Sequence, residues 1–170
     1  MDRTHNDSER FIDKQPLNFW HIGLIALMFP KARIIHCTRD IRDRGLSIFS
    51  QNFNKDQSWS TNLNDIAHYW QGYQKLMVYW KSVTGLKIIE CVYEDTVSDI
   101  ESQSKRLLNF LELPWEEGVL DFHKNNRAVQ TPSRWQVREP LYQTSKAKWR
   151  HYERYLTPLI KAVEEQNNVT

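Results

Sequence analysis

Glycine is scarce in this chain: five in 170 residues, at positions 23, 45, 72, 85 and 118, no two within ten of each other. That spacing excludes both glycine-rich phosphate loops, G-x-G-x-x-G and G-x-x-x-x-G-K-[ST], each of which needs two close glycines. Cysteine is scarcer still. Cys37 and Cys91 stand 54 positions apart, which excludes a disulfide framework, and the apolar residues before each predict buried free thiols in strands. The histidines form no close ligand pair with each other or with a cysteine, except His36 beside Cys37, whose side chains alternate across a strand. No metal site is expected. Long apolar runs are missing too: the longest, Phe19 to Phe29, includes His21 and Gly23 and falls well short of the roughly 20 residues a bilayer requires. A charge excess is likewise absent, 23 Lys and Arg against 21 Asp and Glu, so nothing pulls the chain as a whole toward nucleic acid or membrane. The first ten residues are polar, with no secretory pattern, and a cytoplasmic location is the expectation.

What the chain does contain is helical periodicity punctuated by short β-branched runs. Arg10 to Lys14 reads as a short strand, and Pro16 opens a helix carrying Leu17, Trp20, Leu24, Leu27 and Met28. Arg33 to Cys37 reads as a buried strand. Asp40 is placed to cap a helix running to about Phe53. The clearest helix bears Ile66, Tyr69, Trp70, Tyr73, Leu76, Met77 and Trp80 on one stripe and stops at Gly85. Leu86 to Val92 is another strand, and Asp99 caps a helix broken at Pro114. A long loop, His123 to Pro140, precedes a last helix from about Ser145. Strands separated by helices predict an α/β fold, a parallel sheet flanked by helices, with ligands gathered beyond the carboxyl ends of the strands.

Four clusters fall at such places. Arg39, Arg42 and Arg44 crowd a helix start, where the macrodipole disfavours cations, and a bound anion would resolve the conflict. Ser47, seven residues past Asp40, can share that face after two turns. The same residues also fit a solvated basic helix start with Asp–Arg pairs, and spacing leaves both readings open. Lys14 stands at a strand end directly before a helix, and Tyr93-Glu94-Asp95 follows the strand ending at Val92. Arg127 to Lys148 interleaves basic and aromatic residues, including Ser133, Arg134, Trp135 and Tyr142, a composition able to hold a phosphate and stack a base.

Taken in order, these pieces resemble the sulfotransferase family, in its tyrosylprotein-sulfotransferase-like branch, which in bacteria is often joined to tetratricopeptide repeats. The residues carrying the resemblance are Phe11 to Phe19, Phe29 to Asp40 with Ser47, Tyr93 to Asp95, Leu107 to Trp115, Asp121 to His123, Gln136 to Tyr142, and Lys148-Trp149. It covers about residues 10 to 163, which makes the chain 1–170 a single domain. The resemblance implies a P-loop-like α/β fold and transfer of sulfonate from 3′-phosphoadenosine 5′-phosphosulfate to an acceptor hydroxyl on a protein tyrosine, a glycan or a small molecule. By the same resemblance Arg39 and Ser47 match residues binding the 3′-phosphate, and Lys14 one stabilising the transferring sulfonate. Tyr93 matches an aromatic at the adenine, Ser133 a serine assisting transfer, and Lys148 a cofactor-contacting lysine.

The chain departs from that family pattern in one respect. The Gly/Arg/Ser/Thr-rich loop that holds the 5′-phosphosulfate, and the glutamate base following it, have no counterpart here. The expectation is an incomplete domain, the carboxy-terminal part of a sulfotransferase, inactive alone. A binding module for nucleic acid or another polyanion, using residues 127–148 without catalysis, is the other reading.

Overall fold

Two parallel strands, β1 (Arg33–Thr38) and β2 (Lys87–Val92), lie side by side in the computed structural model, paired from Arg33↔Lys87 to Thr38↔Val92. Residues 10–51, 53, 55–124 and 146–167 are described. Between the strands run α2 (Ile41–Phe49) and the long α3 (Leu63–Val83); α1 (Ile22–Met28) precedes β1. After β2 come α4 (Tyr93–Ser98) and α5 (Ile100–Leu111), and α6 (Thr157–Asn167) closes the chain. The parallel sheet flanked by helices is therefore present, with two strands among the described residues.

The helix boundaries follow local chemistry. Asn62 Oδ1 accepts from the amides of Asn64 and Asp65 and so starts α3. Gly85, at φ +65°, turns the chain out of it through a left-handed conformation that glycine adopts without strain. Along α3, Ile66, Trp70, Tyr73 and Met77 recur every three or four residues and are buried. Leu156, Leu159 and Ala162 join them from the other end of the chain, making the core a junction of α2, α3 and α6. Gly45 belongs to this junction by size: a Cβ there would lie 2.5 Å from Leu159 Cδ1, so any larger residue would force the buried Leu159 side chain to shift.

Several expectations are corrected. Arg10 to Lys14 is not a strand: Phe11 and Ile12 are 78% and 91% exposed, and a strand exists only where its amides find a neighbouring ladder. The stretch opened by Pro16 begins as a 3-10 turn, Pro16–His21, before α1. The second helix stops at Phe49 rather than Phe53. The last helix begins at Thr157, after a 3-10 segment, Lys148–Tyr155. Cys37 is exposed and Cys91 half-buried: strand alternation puts Cys37 on the face of β1 opposite His36, the residue that meets Tyr73 of α3. Most of the loop from His123 to Pro140, Ser133 included, lies outside the described residues.

Candidate functional site

At the carboxyl end of β1 the chain turns sharply into α2. Asp40 makes that turn: its carboxylate accepts from the Arg42 amide at 2.8 Å, and its own amide donates to Glu94 Oε1 at 3.1 Å. A helix N-terminus thus forms directly beyond the strand, with the Arg42 amide taken by the Asp40 side chain and the Arg44 amide by the Asp40 carbonyl. A cavity of about 270 Å³ opens there, close to the lower limit of ligand pockets, roughly 300 Å³. Thr38, Arg39, Asp40, Arg42 and Arg44 line one side, and Trp70, Tyr73 and Gln74 of α3 the other.

Each arginine at this helix start meets an aromatic face. Arg39 lies over Tyr93, 4.6 Å from the ring centre, Arg42 over Trp149 at 3.9 Å, and Arg44 over Tyr73 at 5.1 Å. Such contacts contribute about 0.5–2 kcal/mol each, depending on desolvation. They hold guanidinium groups where the helix dipole opposes them. Arg42 is further committed to Asp40, with Nε donating to both carboxylate oxygens at 2.9 and 3.1 Å. Burial alone would raise the Asp40 carboxyl, but the Arg42 bonds outweigh it and hold the group below the ordinary carboxylate range. The Asp–Arg pair anticipated as an alternative to anion binding therefore exists, and it occupies one arginine of the three.

Asp43 does something its position in the first helical turn does not reveal. It is 3% exposed, and its two oxygens accept from the amides of Ala147 and Trp149 at 2.7 and 2.8 Å. One carboxylate thereby fastens the distant segment that carries Lys146, Lys148 and Trp149 onto α2. Lys146 then reaches Ser98 Oγ at 2.9 Å.

Behind the cavity lies a buried polar chain. His36 of β1, 8% exposed, is hydrogen-bonded through Nε2 to the Tyr73 hydroxyl. Among the described residues its Nδ1 has no hydrogen-bond partner; it faces Glu90 Oε1 at 3.7 Å, near enough for attraction but beyond hydrogen-bond range. Glu90 is held in turn by Lys81 at 2.6 Å. Burial pushes His36 below its ordinary value of 6.5 against the opposing pull of Glu90, so the ring is neutral at pH 7. Burial likewise pushes the Tyr73 phenol up.

The residues singled out in the sequence are brought together unevenly. Arg39 and Tyr93 meet, because β1 and β2 are parallel and in register and each residue follows its strand's end. Lys14 lies close enough to Cys37 for its charge to oppose the burial that pushes that thiol up. Lys148 is exposed beside the fastened Trp149. Ser47 is exposed on α2 and does not line the cavity. Sequence reasoning missed Tyr73, Gln74 and His36. Tyr73 lies on the apolar stripe of α3 and reads as core, and nothing in sequence pairs it with a histidine 37 positions away.

Comparisons with known proteins bear on the family. The model of the family described as "Sulfotransferase family" matches residues 1–117. An "Uncharacterized protein" of Aquifex aeolicus (strain VF5) is 40% identical over 164 residues, which is 94% of this chain and 22% of that protein. Protein-tyrosine sulfotransferase A of Caenorhabditis elegans is 29% identical over 121 residues, 68% of this chain and 31% of that protein. The chain spans less than a third of the length of either relative.

Proposed function

The chain belongs to the sulfotransferase family, and on that premise we propose that its cavity receives the 3′-phosphate side of 3′-phosphoadenosine 5′-phosphosulfate. The observation that carries the proposal is the meeting of Arg39 and Tyr93 over the paired strand ends, next to a helix N-terminus. A guanidinium fork and the positive end of a helix suit a phosphate dianion. The Tyr93 ring, beside the cavity rather than in its lining and with Arg39 over one face, is proposed to meet the attached base. The cavity's size, about 270 Å³, suits a phosphate with part of a nucleoside.

In the reaction proposed, an acceptor hydroxyl oxygen forms a bond to sulfur while the bond from sulfur to the 5′-phosphate oxygen breaks. The hydroxyl proton passes to water, and negative charge gathers on the departing phosphate. Catalysis of this kind depends on positioning and on cations near the developing charge. Lys14 and Ser133 are proposed for that task, Lys14 as the cation and Ser133 as a hydroxyl donor. Ser47 and Lys148 are proposed as further contacts to the nucleotide. Within the family, likeness to a protein-tyrosine sulfotransferase supports a tyrosine hydroxyl as acceptor.

Titration calorimetry with adenosine 3′,5′-bisphosphate tests the reading. The wild-type chain should bind it, and Arg39→Ala should weaken binding at least about tenfold, the scale of one charge-assisted hydrogen bond or more. Equal affinity in the two proteins overturns it.

A further inference from the structure

The buried polar chain behind the cavity has an orientation that a change in protonation reverses. With His36 neutral, the Glu90 carboxylate favours the ring proton on Nδ1, the nitrogen facing it at 3.7 Å. Nε2 is then an acceptor, and the Tyr73 hydroxyl must donate to it. The phenol's proton is thus directed toward His36, which leaves the hydroxyl no proton for a ligand. An anion gains nothing from that oxygen.

Add one proton to His36 and both ring nitrogens become donors. Nε2 now donates to the Tyr73 oxygen, and the hydroxyl proton is released from the imidazole. Because Tyr73 lines the cavity, that proton is free to turn toward a ligand there. A dianion would meet a new donor and, one bond behind it, a new positive charge. We propose that Glu90, His36 and Tyr73 form a relay that couples anion binding in the cavity to uptake of one proton at His36. The proposal rests on reading this cavity as an anion site and adds to it a positioning pair, His36 and Tyr73.

The surroundings set the relay's balance. Glu90 from β2 favours the imidazolium, while Arg44 from α2 and Lys81 from α3 oppose it, as does burial. Without a ligand the neutral ring prevails. A doubly charged anion among Arg39, Arg42 and Arg44 offsets the opposition of Arg44 and tips the ring to its charged form. Linkage then fixes the sign: if binding raises the proton affinity of His36, affinity for the anion rises as pH falls.

Inorganic sulfate is the suitable probe, since it stays a dianion across pH 5 to 8 and any pH dependence belongs to the protein. Calorimetry in buffers of differing ionisation enthalpy should find sulfate binding accompanied by uptake of up to one proton, with affinity rising as pH falls, at most about tenfold per pH unit. His36→Gln, which keeps a polar partner for Tyr73 but does not titrate, should bind sulfate with no proton uptake. Tyr73→Phe, which keeps the ring under Arg44, should lose the gain in affinity at low pH. Should either variant fail to fold, the His36 ring resonances of the wild type decide by NMR: their midpoint must rise when sulfate is added. Sulfate affinity independent of pH, absence of sulfate binding, proton uptake unchanged in His36→Gln, a low-pH gain kept in Tyr73→Phe, or an unmoved His36 midpoint overturns the relay. Sulfate bound with proton uptake while adenosine 3′,5′-bisphosphate fails to bind leaves the relay standing and removes the nucleotide reading.

Discussion

On the face of β1 that meets α3, His36 keeps 8% of its surface, while on the opposite face Ile35 keeps 37% and Cys37 is exposed. Hydrophobicity would have sorted these residues the other way. The difference teaches that a residue's burial here is set by which helix covers its face. The apolar stripe of α3, through Tyr73, covers the polar His36 on one side of β1. Such a group must then find partners or stay neutral. His36 does both, through Tyr73 and a lowered proton affinity. The covered face is accordingly where a single change should be felt.

The largest effect is expected in the core that holds α3 to α6. Leu159, with no exposed surface, touches the close approach at Gly45, and Leu159→Ala should cost about 2–5 kcal/mol in chemical denaturation. A loss under 1 kcal/mol would break the contrast between the faces. Next, Asp43→Ala leaves two backbone amides without acceptors and should cost about 3 kcal/mol. Hydrogen exchange at Ala147 and Trp149 should quicken with it; unchanged exchange there would mean that other contacts fasten the segment. A smaller effect comes from acid. His36 has a lowered proton affinity in the fold, so the unfolded chain binds the proton first as pH falls below about 6.5. Stability present above that pH should decline through mild acid, and His36→Gln should flatten the decline in melts taken between pH 7 and 5. The smallest effect is expected on the open side. Ile12→Ser, at a site 91% exposed, should change stability by less than about 0.5 kcal/mol. A larger loss would mean that the segment before Pro16 is covered after all.

Much of this was legible in the sequence where the signal was local. The cap at Asp40, the stripe of α3 and the stop at Gly85 follow from residues within a turn or two of one another. Arg39 and Tyr93 were legible as candidates because each follows a β-branched run, and parallel strands bring such ends together. The strand expected at Arg10 to Lys14 failed for the converse reason: alternation and β-branching name a strand only when another strand lies alongside. Ser47 was placed near the helix start by periodicity, which fixes a face of a helix but not what that face meets.

Scarcity of glycine removed the known phosphate loops, and the arginine-rich turn after Cys37 pointed to an anion; both are matters of composition and short spacing, which the chain determines alone. The resemblance that assigned the family rests on the same order of residues along the chain. The tertiary structure alone decided that Arg42 is paired with Asp40, that Asp43 fastens residues 147 and 149, and that Tyr73 reaches from the core stripe to a buried histidine and the cavity wall. The latter two join groups separated by tens of positions, and Asp40 and Arg42 have other partners open to them until the fold fixes their surroundings. Periodicity runs along one element, whereas partners such as these are chosen by how separate elements pack.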